Sequence, residues 1–88
     1  MIDKADLLEA FGRSVREYRE RIAPPMTQER LANISGLHRT YVGDVERGTR
    51  NLSIFNVVRI AAALGIEPSD LLEGIDVALR RRHRRGAL

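Results

Sequence analysis

Between Met26 and Gly48 the chain carries two short segments of helical apolar spacing, separated by Ser35-Gly36. That break constrains everything around it. A glycine accepts positive φ at little cost, so Gly36 can end one helix and let the next begin at a sharp angle. Upstream, Thr27 suits an N-cap, because its hydroxyl can accept an N–H that the first helical turn leaves unpaired. Leu31, Ala32 and Ile34 supply a small inward face. Downstream, a helix starting near His38 sets Leu37, Tyr41 or Val42, and Val45 at helical spacing, and Gly48 ends it. Two helices at about 28–34 and 38–46, a glycine-bearing turn and an exposed polar start to the second define a helix-turn-helix plan.

The flanks supply three more helices. Leu7, Leu8, Phe11, Val15, Tyr18 and Ile22 recur at spacings of three and four, which predicts a helix over 4–22 with a charged opposite face. Gly12 lies inside it and costs about 1 kcal/mol relative to alanine. Pro24-Pro25 cannot be continued as helix and forms a stiff connection. Gly48-Thr49-Arg50-Asn51 is a polar loop, after which Ser53 caps a fourth helix running to Leu64, with Gly65 as its stop. That helix is apolar nearly all round, so it is expected to be the central one. Glu67-Pro68-Ser69-Asp70 opens a fifth helix, with proline and acids in its first turn. Its apolar residues, Leu71, Leu72, Ile75, Val77, Ala78 and Leu79, exceed what one stripe can turn inward, so some should meet a second molecule. Arg80-Arg81-Arg82-His83-Arg84-Arg85 is a run of like charge expected to fray or stay disordered. The domain organisation is one all-α, five-helix domain over 1–79 and a basic tail over 80–88.

Composition narrows the chemistry. The 88 residues contain no cysteine, which removes disulfides and thiolate metal sites. No apolar run reaches the ~18 residues that span a bilayer. The polar start of the chain, Met1-Ile2-Asp3-Lys4-Ala5-Asp6, does not read as a signal peptide. The expectation is a soluble cytoplasmic protein. The net charge of +3 resides in the tail, since residues 1–79 hold 10 basic against 12 acidic side chains. A nucleic-acid surface on the body must therefore come from local placement of charge. Arginine outnumbers lysine 14 to 1, a bias that a GC-rich genome would also produce. Catalysis has little support: His38 and His83 lack metal-ligand spacing, no glycine-rich phosphate loop occurs, and caps, turns or wet faces account for Ser14, Ser35, Ser53 and Ser69.

The chain resembles the lambda-repressor-like helix-turn-helix family, of the Cro/C1 or XRE type. The pattern stands here as Thr27-Gln28-Glu29-Arg30-Leu31-Ala32, Gly36-Leu37, Val45-Glu46-Arg47-Gly48, Ile60-Ala61-Ala62-Ala63-Leu64-Gly65 and Leu71-Leu72. Residues Arg39 to Ser53 are most similar to the small controller proteins of restriction–modification systems. The Pro24-Pro25 connection and the arginine tail depart from the pattern.

The resemblance implies that Arg39, Thr40 and Asp44 face the major groove, with Tyr41 at its edge. Arginine can donate two parallel hydrogen bonds to guanine O6 and N7, a discrimination of about 1–3 kcal/mol. Tyr41 reads equally well as a core residue whose hydroxyl reaches outward. Thr27 and Gln28, at a helix start, and Arg50, Asn51 and Ser53, around the next one, are implied phosphate contacts, which set register rather than sequence. Glu46 is implied to pair internally with an arginine of the first helix, and spacing makes that Arg19. Leu72, Ile75 and Leu79 are the candidate dimer face.

These features point to a sequence-specific transcriptional regulator, activator or repressor, that binds double-stranded DNA as a homodimer at half-sites about 34 Å apart. No cofactor, small-molecule ligand or membrane is implied. The competing expectation is an antitoxin-type or other protein-binding module whose DNA binding is secondary.

Overall fold

Asp3 starts the first helix by accepting from the N–H of Ala5 at 2.8 Å and of Asp6 at 3.2 Å. The structure, a computed structural model, describes residues 2–86, with side chains described for 2–77, 79 and 80. The described residues form α1 (Lys4–Arg21), α2 (Gln28–Ser35), α3 (Arg39–Arg47), α4 (Ile54–Leu64) and α5 (Pro68–Gly86), with no strand among them.

Local chemistry sets most of these boundaries. Thr27 Oγ1 accepts from the Arg30 N–H at 3.0 Å, and Ser53 Oγ accepts from the Asn56 N–H at 3.1 Å, so each hydroxyl caps its helix. At Gly36 φ is 73°, and its N–H turns back to the Ala32 carbonyl. Ahead of α2, the Met26 N–H donates to the Arg19 carbonyl at 3.1 Å, folding the proline connection onto the end of α1.

The helices close around Phe11, Val15, Leu31, Val42, Val45, Ile60, Ala61 and Leu71. Leu31, Ile60 and Leu71 are fully buried, and each contributes about 1.5–3 kcal/mol through the apolar surface removed from water. Helix α1 is the hub, lying against both α3 and α5, while α2 packs on α3 and α4. The α1–α3 approach depends on Gly12. A Cβ built there would lie 2.7 Å from the Glu46 carbonyl oxygen and closer still to that of Val45. The cost of Gly12 to α1 therefore has a tertiary reason. On the other side, Ser14 Oγ donates to the Leu71 carbonyl at 3.0 Å in a buried bond between α1 and α5.

The structure departs from the sequence reading in three places. Helix α4 is not central: Ile60, Ala61 and Leu64 are buried, but Ile54, Phe55 and Val58 are 83%, 69% and 44% exposed. Helices α2, α5 and α1 pack against α4, and among the described residues the face bearing Ile54, Phe55 and Val58 is left uncovered. Ile34 likewise belongs to the surface rather than the inward face of α2. Third, α5 does not fray at Arg80 but continues to Gly86. Arginine is a good helix former, and cations in the last turns oppose the negative end of the helix dipole. Arg80 Nε also donates to the Asp76 carbonyl at 3.3 Å. Residues 87 and 88 of the tail, and the side chains of Ala78 and of 81–86, lie outside the described set.

Candidate nucleic-acid interface

Helix α3 buries Val42, Gly43 and Val45, which turns Arg39, Thr40 and Arg47 to the surface and leaves Tyr41 and Asp44 half-buried at its margin. His38 precedes it with extended backbone and no side-chain cap. The side chains of Arg39 and Thr40 make no hydrogen bond or ion pair to any other described residue, so their donors are uncommitted. A polar, uncommitted first turn on a helix whose inner face is fixed in a core is what groove recognition requires.

The fixing is electrostatic as well as apolar. Arg19 of α1 and Glu46 of α3 form a bidentate pair, Nε to Oε2 at 2.7 Å and Nη2 to Oε1 at 2.8 Å. The remaining Arg19 Nη1 donates to the Met26 carbonyl at 2.8 Å, which ties the entry to α2 into the same group. The side chains are 12% and 5% exposed. The hydrogen bonds to Glu46 raise the Arg19 pKa against the opposing effect of burial, so the guanidinium stays charged. Gln28, implied to offer its amide to phosphate, instead donates Nε2 to Glu46 Oε1 at 3.0 Å. The amide is therefore turned inward, and of the first-turn N–H groups of α2 that of Arg30 is taken by the Thr27 hydroxyl.

A second polar group lies on the outer side. Asp44 Oδ1 accepts from Arg47 Nη2, and Asp44 Oδ2 accepts from Arg50 Nη2 at 3.1 Å. The hydrogen bond from Arg47, then that from Arg50, holds the Asp44 carboxyl below the usual carboxylate range. The Arg50 guanidinium stands 5.0 Å from the centroid of the Tyr41 ring, and the Tyr41 hydroxyl accepts from Asn56 Nδ2 at 3.0 Å. Tyr41 is thus partly core and partly surface, with its hydroxyl braced to α4. Asn51 and Ser53 are exposed beside this group, and the Ser53 hydroxyl already caps α4.

Three participants were missed by sequence reasoning. Arg47 had a legible signal, since an acid and a base three apart on a helix are neighbours. Asn56 and Arg59 had none. Arg59 of α4 donates Nε to the Ser35 carbonyl at 3.0 Å and Nη2 to the Gly36 carbonyl at 2.9 Å, satisfying acceptors at the end of α2 and bracing the turn.

Away from this face, Leu72 is 46% exposed, while Ile75 and Leu79 are half-buried and Ile75 packs on the core. Among the described residues, the exposed large apolar side chains of α5 are Leu72 and Val77, and α4 adds Ile54, Phe55 and Val58. Among the described residues no group of three or more His, Asp or Glu could hold a metal ion, and no helix is long and apolar enough to cross a membrane.

Comparison with known proteins gives a consistent picture. A helix-turn-helix family model matches residues 15–71. The control protein C.BamHI of Bacillus amyloliquefaciens is 51% identical over 63 residues, 72% of this chain and 76% of that protein. The control protein C.SmaI of Serratia marcescens is 43% identical over 67 residues, 76% of this chain and 77% of that one. Among solved structures, the restriction-modification controller protein C.AhdI from Aeromonas hydrophila is 52% identical, covers 73% of this chain and 94% of its own, and superposes with a TM-score of 0.68.

Proposed function

The chain belongs to the helix-turn-helix family of DNA-binding regulators, and from that premise we propose that it is a transcriptional regulator of the restriction–modification controller kind. It binds as a homodimer, with α3 of each protomer in a major groove. The observation that carries this reading is the first turn of α3, where Arg39 and Thr40 are exposed and uncommitted on a helix anchored by Arg19, Glu46 and the core. Arg39 and Thr40 read base edges. Tyr41 stands at the groove margin, and Asp44 acts on the same face. Thr27, the first turn of α2, Arg50, Asn51 and Ser53 contact phosphates and set register.

The second copy docks on the uncovered apolar side chains of α4 and α5, with Leu72 as the main anchor from α5 and Phe55 from α4. Ile75 and Leu79 lie beneath its edge. Two considerations support this. A domain of this size gains stability by covering such a face. The body of 1–79 is also slightly acidic, so one protomer makes too few phosphate contacts for specific binding at physiological salt, and two joined protomers double them. No catalytic chemistry or cofactor is assigned, and the site of action is the cytoplasm, where DNA is accessible.

Selection of bound duplexes from a random pool tests the reading. The recovered sites should contain two half-sites about one helical turn apart. Repeated with Arg39→Ala, the selection should lose preference at one position per half-site, a discrimination of about 1–3 kcal/mol. Recovery of single, unpaired half-sites would overturn the dimer, and a uniform loss over all sequences would make Arg39 a phosphate contact.

A further inference from the structure

Asp44 is the one acidic side chain that α3 turns outward, on the surface proposed to approach a polyanion. Both of its oxygens are already engaged within the protein: Oδ1 accepts from Arg47 and Oδ2 from Arg50, so a base amino group would have to share or displace an arginine. The two arginines are not used up in the same way. A guanidinium carries five N–H donors in a rigid plane, and each of these gives Asp44 a bond from Nη2 alone. Their side chains remain 63% and 48% exposed, against 24% for Asp44.

The surroundings restrict each arginine further. Arg50 is held on a second side by the Tyr41 ring, which Asn56 in turn ties to α4. Arg47 lies along Gly43, where a Cβ would come within 3.2 Å of its Nη1. Both cations are thus fixed to the recognition helix, with donors left over and directions already chosen. A cation so fixed rewards one placement of the helix on the duplex. A free arginine on a flexible stem neutralises whichever phosphate is near.

We propose that Asp44 is a positioning and specificity-determining residue: it buttresses Arg47 and Arg50 so that their remaining donors meet the DNA only in the correct register, and it holds both cations back from phosphates in any other. The inference rests on the DNA-reading function proposed above and assigns to Asp44 a task other than direct contact with a base. Specificity at this site comes as much from limiting non-specific attraction as from adding contacts.

The test compares wild type with Asp44→Asn, which keeps the shape and removes the charge. Each is titrated by fluorescence anisotropy against a duplex selected from a random pool and against a shuffled duplex of the same composition, over a range of salt. Asp44→Asn should tighten binding to the shuffled duplex by about threefold to tenfold and leave the selected duplex unchanged or weaker. The salt dependence for the shuffled duplex should steepen by about one unit of slope. In an Arg47→Ala, Arg50→Ala background the same substitution should change neither affinity ratio nor slope.

Three results would overturn the assignment. One is a weakened selected complex with unchanged shuffled binding and lost preference at a single base pair, which marks Asp44 as a base acceptor. Another is an effect of equal size in the arginine-free background, which marks a general charge effect. The third is a wild-type protein that prefers neither duplex, which removes the proposed function and this role together. Circular dichroism of each variant confirms that the helices are intact, so a loss of fold is not mistaken for any of these.

Discussion

Helix α3 carries two carboxylates two positions apart, each held by arginine, and they serve opposite ends. Glu46 is 5% exposed and meets Arg19 from another helix, 27 positions earlier. Asp44 is 24% exposed and meets Arg47 and Arg50, 3 and 6 positions later. The inner pair joins α1, α3 and the entry to α2, so breaking it strands a charge in a poorly hydrated place. The outer ion pairs join only α3 to its own following loop, and water or phosphate can replace either of them. Burial, not the number of ion pairs, decides which of the two sets the angle of the helix and which can respond to DNA.

That contrast can be broken in several ways. Arg19→Met leaves Glu46 buried with Gln28 as its remaining side-chain donor and should lower unfolding stability by about 3 kcal/mol, read from the urea midpoint at constant slope. Replacing both, as Arg19→Met with Glu46→Leu, should recover much of the loss, because no uncompensated charge remains. Asp44→Asn should move the midpoint little. An equal loss in Arg19→Met and Asp44→Asn would end the distinction.

A smaller effect is expected at Gly12→Ala. Helix propensity alone predicts a gain of about 1 kcal/mol. The close approach of α1 to the Val45 and Glu46 carbonyls predicts instead a loss of about 1–3 kcal/mol, so the sign of the measured change decides.

The smallest effect concerns pH and salt. The Asp44 pKa is depressed, so its contribution is present above the pKa of the unfolded chain, about 4, and is lost as pH falls through the lower folded value. Carboxyl NMR should place its titration midpoint below that of an ordinary aspartate. High salt should draw the midpoint back up, because this exposed group is screened. A midpoint indifferent to salt would mean that the outer group is as secluded as the inner one.

How much could be read beforehand follows the range of each interaction. Thr27, Ser53, Gly36, Gly48 and Gly65 mark helix ends through bonds made within a few residues, and the structure places caps at all five. Apolar periodicity also located Leu31, Val45, Ile60 and Leu71 in the core. It misjudged α4, because an apolar count states how much surface seeks cover and not whether a partner helix exists to provide it. The inward turn of the Gln28 amide and the bracing of Tyr41 by Asn56 escaped for a related reason: each joins side chains 15 or more positions apart.

The sequence by itself determined that there are five helices, where each begins, and that Arg39 and Thr40 open the second helix of the motif. Those properties depend on backbone hydrogen bonding and side-chain spacing along one local stretch. Only the tertiary structure decided that α1 is the hub, that Phe55 and Leu72 are left uncovered, and that Asp44 holds arginines where Glu46 holds the fold. Two acids of the same charge and nearly the same position differ in role because packing gives one of them water and denies it to the other.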